Sequence, residues 1–284
     1  MQALKIGTCS WNYDSWVGLV YSAKQAYSAA YLREYAQAYP TVEIDSWFYK
    51  LPDSSEVEDY LAQAGDSLTF ACKATESIVL THERTRGKTD AGLTANPHFL
   101  SPELFAYYVD AVKPMLPRID AIQLEFEYLN KAKMPSLDAF LKKLDAFFTS
   151  VSALFPQGLP LAVETRNGNY LRQEYFSLLK THGVAHVFSE KIYMPPIVEV
   201  YEQFKPYLGP HAVIRLLGGD RKEIEAVTKG RWDTIVAEKA ELLRIAGMVK
   251  DMLASGMRIQ IYVNNHFEGS APKTIERLHA LLGA

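Results

Sequence analysis

Cysteine is scarce in this chain, with Cys9 and Cys72 the two in 284 residues. Two thiols in a chain of this length make no disulfide framework, so both are expected to be free and packed in the core. Long apolar runs are missing as well. None approaches the ~18 residues that a membrane-spanning helix needs, so no membrane segment is expected. The opening residues, Met1-Gln2-Ala3-Leu4-Lys5-Ile6-Gly7, enter a strand-like pattern at once. They lack the basic-then-apolar layout of a secretion signal, and the expected setting is the cytoplasm. An excess of either charge is also absent. The net charge is -3, which gives no bulk basic field to hold nucleic acid or an acidic membrane surface. The densest cationic stretch, His82-Glu83-Arg84-Thr85-Arg86-Gly87-Lys88, is short and interrupted by an acid. Finally, the first strand is not followed by a glycine-rich phosphate turn. The chain reads Gly7-Thr8-Cys9-Ser10-Trp11-Asn12-Tyr13 there, which argues against an open dinucleotide-binding sheet.

What the chain does have is alternation. Short apolar or β-branched runs mark strands at Leu4–Cys9, Thr41–Ser46, Leu68–Lys73, Asp120–Glu125, Leu159–Thr165, Val184–Phe188, Ala212–Leu216 and Arg258–Val263. Helical spacing falls between them, over 28–39, 54–64, 101 onward, 136–155, 173–181, 196–207, 234–254 and 271–282. Ser101-Pro102-Glu103 reads as a helix start, Gly65 as a helix end and Ser270 as an N-cap. Eight strands alternating with eight helices predict a parallel sheet with right-handed crossovers, closed as a single (β/α)8 TIM barrel over residues 1–284. Two connections, Thr75–Leu100 and Leu217–Trp232, are long and lie on the face where barrel active sites form.

Side chains alternate across a strand. Val42 and Ile44 therefore share one face and Glu43 and Asp45 the other. Phe70 and Cys72 oppose Ala71 and Lys73, while Ile122 and Leu124 oppose Gln123 and Glu125. Leu161 and Val163 oppose Glu164 and Arg166, Ile214 opposes Arg215, and the eighth strand runs into Asn264-Asn265-His266. His186 faces inward only if Val187 faces out. Isolated charges inside a barrel are costly unless they are paired. So many from separate strands point to a polar pocket at the C-terminal mouth. The structural alternative is a web of ion pairs, such as Glu43 with Lys73 and Glu164 with Arg215.

Several of these stretches stand in order along the chain: Gly7-Thr-Cys-Ser-Trp11, Val42-Glu-Ile-Asp-Ser-Trp-Phe-Tyr49 before Pro52, Phe70-Ala-Cys-Lys73 with Thr81-His82, Val163-Glu-Thr-Arg166, Arg215-Leu-Leu-Gly218, and Asn264-Asn-His266 with Gly269 and Ala271. The set resembles the DUF72 (YecE-like) family, a family of unknown function, over nearly the whole chain. The resemblance implies a TIM barrel and no established activity. The chain departs from the family pattern at Asp45 (usually Asn), Leu217 (commonly His), Asn167-Gly168 (a His-Pro-like pair) and Tyr170 (Trp).

The leading expectation is an enzyme for a small anionic, phosphorylated or sugar-like substrate. Glu43, Glu164 and Lys73 are the catalytic candidates. The carboxylates would serve as acid and base, and Lys73 would be an ion-paired cation or a Schiff-base amine. Arg166, Arg215, Asn265 and His266 are the substrate-binding candidates, because arginine forks suit carboxylates and phosphates. Trp11 and Tyr13 are candidates for a stacking wall. A carboxylate pair also suits glycoside cleavage. No cofactor is expected, and the metal-dependent alternative would place one divalent ion among Glu43, Glu164 and His266. A non-catalytic barrel that holds a ligand or partner is the remaining reading. Nucleic acid would rely on Arg84, Arg86 and Lys88.

Overall fold

The computed structural model describes residues 2–84 and 93–283. Eight parallel strands, β1 (Leu4–Cys9), β2 (Thr41–Ile44), β3 (Thr69–Lys73), β4 (Ile119–Glu125), β5 (Leu161–Glu164), β6 (Ala185–Lys191), β7 (His211–Gly218) and β8 (Arg258–Val263), close in sequence order, with β8 pairing back onto β1. Around them lie α1 (Leu32–Ala38), α2 (Ser54–Ala64), α3 (Glu76–Val79), α4 (Pro102–Ala111), α5 (Leu137–Leu154), α6 (Gln173–Thr181), α7 (Ile197–Phe204), α8 (Arg221–Thr228), α9 (Glu241–Ala254) and α10 (Ala271–Leu282). The expected TIM barrel is the fold.

Two hydrophobic layers hold it. Outward strand residues such as Val42, Ile44, Phe70, Cys72, Ile122, Leu124 and Ile214 pack under the helices, and each such side chain taken out of water contributes ~1.5–3 kcal/mol before entropy is counted. The barrel interior is filled by small residues, Ala71, Ala121, Ala162, Ala185, Val187 and Val213, together with Cys9 and Tyr262. The next inward position toward the C-terminal end of β3, β4, β5 and β7 is Lys73, Gln123, Glu164 and Arg215, so the polar layer sits directly above a tight apolar plug. The opposite end is closed by Lys5, which is 2.9 Å from Asp120. Gly7 is required where β1 and β2 meet, since a Cβ there would fall 1.8 Å from the Thr41 carbonyl oxygen.

Caps define several helix starts. Asp53 accepts from the Glu56 N–H, Ser101 from Leu104 and Ser136 from Ala139. Ser270 precedes α10, but its side chain caps nothing. The Asn265 Oδ1 instead accepts the Ala271 N–H at 2.9 Å. Other expectations needed adjustment. α9 starts at Glu241 rather than at Thr234, because the buried Glu268 captures the preceding segment: its carbonyl accepts from Val236 and Ala237, and its carboxylate from Lys239 N–H. The 28–39 and 196–207 stretches each divide into a 3-10 turn and an α-helix. The long connection after β3 contains α3, and the one after β7 contains α8. β6 and β7 run further than expected, pairing as far as Lys191 with Gly218. Among the described residues no helix is long and apolar enough to cross a membrane. Cys9 and Cys72 are free and buried.

Candidate functional site

The centre of the mouth is Arg215, inward on β7 and only 2% exposed. Its Nη2 donates to Glu43 at 2.6 Å and its Nη1 to Glu164 at 2.6 Å and to Glu125 at 3.0 Å. Both Glu43 and Glu164 are fully buried. Gln123 Nε2 adds a bond to Glu43 at 2.8 Å. Lys73 does not pair with Glu43. It lies 2.6 Å from Asp45 and 2.8 Å from Glu125. Arg166 Nη2 lies 2.6 Å from Glu125 and 2.8 Å from Glu164. Four carboxylates from β2, its following turn, β4 and β5 thus enclose three cations. Of the two ion pairs that the sequence alternative names, Glu164–Arg215 forms and Glu43–Lys73 does not.

The charge states follow from these contacts. Burial raises the Glu43 carboxyl above its ordinary range, and Asp45 adds to the rise against the pull of Arg215. Burial would also raise Glu125, but Lys73, Arg215 and Arg166 together hold it well below the usual carboxylate range. Asp45 is likewise lowered, with Lys73 and Arg215 overcoming its burial. Burial and Arg215 push Lys73 down, yet Asp45, Glu125 and Glu43 outweigh them and keep it protonated. A lysine so held is a poor nucleophile, since the neutral amine is the reactive form.

Above this network opens a pocket of about 230 Å³, whose walls include Asp45, Lys73, Glu125, Arg166, Lys191, Arg215, Arg221 and His266. Its two sides differ. The β2–β4 side presents the carboxylates Asp45 and Glu125 with Lys73 clamped between them, and the β5–β8 side presents Arg166, Lys191 and Arg221. Glu43 and Glu164 lie beneath the pocket, bound to Arg215. The Arg166 Nη1 is buried and has no hydrogen-bond partner among the described residues. Lys191 makes no ion pair among the described residues. Both are unspent donors on the cationic side.

The other predicted residues have defined places. Asn265 is buried and caps α10. His266 lines the pocket, but both ring nitrogens are engaged, Nδ1 with Asn264 at 2.5 Å and Nε2 with Glu225 at 3.2 Å. Trp232 packs against its ring. Trp11 does not line this pocket. Its indole donates to the Ser28 carbonyl at 2.9 Å and packs edge-on against Tyr60 of α2, because the first loop folds back over α2. Tyr13 is half-buried near the mouth. Burial raises its phenol, the Asp45 carboxylate adds to the rise, and hydrogen bonding to Ser10 and Asn265 opposes it. His186 faces away from the barrel axis, where its Nδ1 meets the Tyr175 hydroxyl at 3.1 Å; Val187 takes the inward position. Arg84 is occupied by Glu76 at 2.8 Å, and Arg86 and Lys88 lie outside the described residues. Glu43, Glu164 and His266 are not gathered for a metal ion, and no cluster of three His, Cys, Asp or Glu able to hold one occurs among the described residues.

Sequence reasoning placed Asp45 and Glu125 on inward faces without making them candidates, yet they, rather than Glu43 and Glu164, reach the pocket. It missed Lys191 because the sixth strand was expected to end at Phe188. The inward parity of Val187 and Ser189, carried one step further, would have found it.

A family model described as "Protein of unknown function DUF72" matches residues 5–284. No curated protein matches the sequence. Among solved structures, a DUF72 family protein from Enterococcus faecalis V583 superposes with TM-score 0.67 at 17% identity, covering 99% of this chain and 96% of that one. A DUF72 family protein from Thermotoga maritima MSB8 gives TM-score 0.65 at 18% identity, with 100% of both chains covered. A D-tagatose 3-epimerase-like protein gives TM-score 0.55 at 11% identity, over 98% and 97% of the two chains. At such identities the likeness carries the fold alone.

Proposed function

The chain belongs to the DUF72 family, and from that premise we propose that its mouth is an enzyme active site for a small anionic molecule. The carrying observation is the Arg166 Nη1, a buried guanidinium donor without a partner among the described residues, on a side chain that lines a polar pocket. A buried donor left unsatisfied costs ~1–3 kcal/mol, which an oxyanion ligand would recover. The pocket's size, about 230 Å³, is below the ~300–1,000 Å³ of drug-sized sites, so the occupant is small.

The two-sided charge orients that occupant. Its anionic end lies toward Arg166 and Arg221, and its reacting end toward Asp45 and Glu125. Both carboxylates are ionised at rest, so they accept protons before they give them. Arg215, with Glu43 and Glu164, is the rigid base on which this arrangement stands, and Lys73 fixes Asp45 and Glu125 relative to each other. A divalent metal plays no part in this reading. The second reading is a non-catalytic anion-binding barrel, favoured by the locking of Lys73 and Arg215 between carboxylates.

A metabolite panel assayed by thermal shift tests the proposal. Phosphorylated or carboxylated compounds should raise the melting temperature of the wild type and leave Arg166→Gln unmoved. Equal shifts in both proteins, or none in either, would overturn it. Turnover of a stabilising compound separates the enzyme from the binding barrel.

A further inference from the structure

We propose that Lys191 is the amine nucleophile of this mouth and forms an imine with the carbonyl group of a small anionic aldehyde or ketone. The inference rests on the reading of the mouth as an active site and adds the reaction class.

The alternation of β6 carries the inward parity of Val187 and Ser189 on to Lys191, while the ladder shifts register there with Leu217 of β7 as the extra residue between Leu216 and Gly218. Glu190 turns to α7, where its carboxylate accepts the Ile197 N–H at 3.1 Å. Lys191 turns into the pocket beside Arg166 and Arg215. The mouth thus holds two very different lysines. Lys73 is clamped by Asp45 and Glu125 at 2.6 and 2.8 Å, whereas Lys191 has no carboxylate within ion-pair distance among the described residues.

The groups that face Lys191 are Glu164 from β5 and Arg166 from the turn after it, Glu125 from β4, Arg215 from β7, and His266 after β8. Burial lowers its ammonium below the ordinary lysine range, and Arg166 is the next cause. Desolvation beside another cation is a known route to a reactive amine. Arg166 therefore has two effects: it holds the substrate's anionic end and favours the neutral form of the neighbouring amine.

The chemistry balances with groups already present. The Lys191 Nζ lone pair attacks the carbonyl carbon, and the C=O π pair moves to oxygen. The Glu125 carboxylate takes one proton from nitrogen and returns it to that oxygen, giving a carbinolamine. One further proton from water lets the hydroxyl leave as water while the nitrogen lone pair forms the C=N bond. The sum is amine, carbonyl and one proton giving iminium and water.

The test is reductive trapping on the intact protein. Glyoxylate, pyruvate and glycolaldehyde phosphate are each incubated with it in the presence of borohydride, and the adduct is mapped by peptide mass. The expected result, for at least one probe near neutral pH, is a secondary amine on Lys191, roughly tenfold above any other lysine. Lys191→Met should lose it, and so should Lys191→Arg, which keeps the cation if the apolar variant fails to fold. Adducts spread over surface lysines, no adduct from any probe, or undiminished labelling in the folded variants would overturn the inference. Stabilisation by inorganic phosphate that depends on Arg166, measured in parallel, reads the underlying proposal separately. If it is present without an adduct, only the imine fails; if it is absent, the active-site reading fails as well.

Discussion

Arg215 and Glu164 meet at 2.6 Å with 2% and 0% of their side chains exposed, a fully buried ion pair at the centre of a barrel mouth. Removing one partner of such a pair strands the other charge, and Arg215 has several partners to strand. Arg215→Met should therefore cost ~3–5 kcal/mol of folding free energy, read by urea unfolding. A loss below ~1 kcal/mol would mean that the carboxylates are not held as described.

Glu43 gives a prediction with a defined sign. The unfolded carboxyl releases its proton near its ordinary 4.5, while the buried one releases it only at higher pH. The folded state therefore binds more proton in that window, and this group's contribution to stability falls as pH rises through it. Glu43→Gln has no proton to release. Relative to wild type it should gain stability as pH rises above the ordinary 4.5 in denaturant melts. A gap that stays constant, or moves the other way, would show that Glu43 is ionised in the fold.

His186 has the opposite dependence. Burial lowers its pKa from 6.5 to about 3, so the unfolded chain takes up a proton that the folded one refuses. Stability falls as pH drops from 6.5 towards 3, by about 3–5 kcal/mol from this group alone. His186→Phe should flatten that part of the pH profile while losing the hydrogen bond to Tyr175. An unchanged acid limb would contradict the assignment.

Gly218 tests how tightly the mouth is built. Its φ is 87°, and a Cβ there would lie 2.3 Å from the His266 carbonyl oxygen. Gly218→Ala should cost ~1–3 kcal/mol and displace the loop that carries His266, so anion-dependent stabilisation should weaken as well. Wild-type stability and binding in this variant would mean that the two loops are free to separate.

The barrel was legible because its signal is repeated: each strand carries its own alternation, and a misplaced end leaves the parity intact. Glu43, Lys73, Glu164 and Arg215 were readable as inward charges for that reason. Depth was not readable. Parity gives the same inward sign to Glu43 and Asp45, or to Gln123 and Glu125, but only the staggered heights of the strands leave one of each pair under Arg215 and the other at the pocket. Partner choice was hidden too, because Lys73 had inward acids from both neighbouring strands and took Asp45 and Glu125. Trp11 was misjudged because a loop's path depends on the helix it packs against, here α2 through Tyr60. α8 lay inside the connection Leu217–Trp232, where its eight residues, Arg221–Thr228, are mostly polar and bury only Ile224 and Thr228.

The central claim is that the mouth binds a small oxyanion through Arg166. Anomalous diffraction from a crystal soaked in selenate tests it most directly. A selenium peak is expected in the pocket, about 3–4 Å from the Arg166 Nη1, and is expected to disappear in Arg166→Gln. Selenate on surface lysines with an empty mouth in the wild type, or a mouth peak unchanged by the substitution, would contradict it.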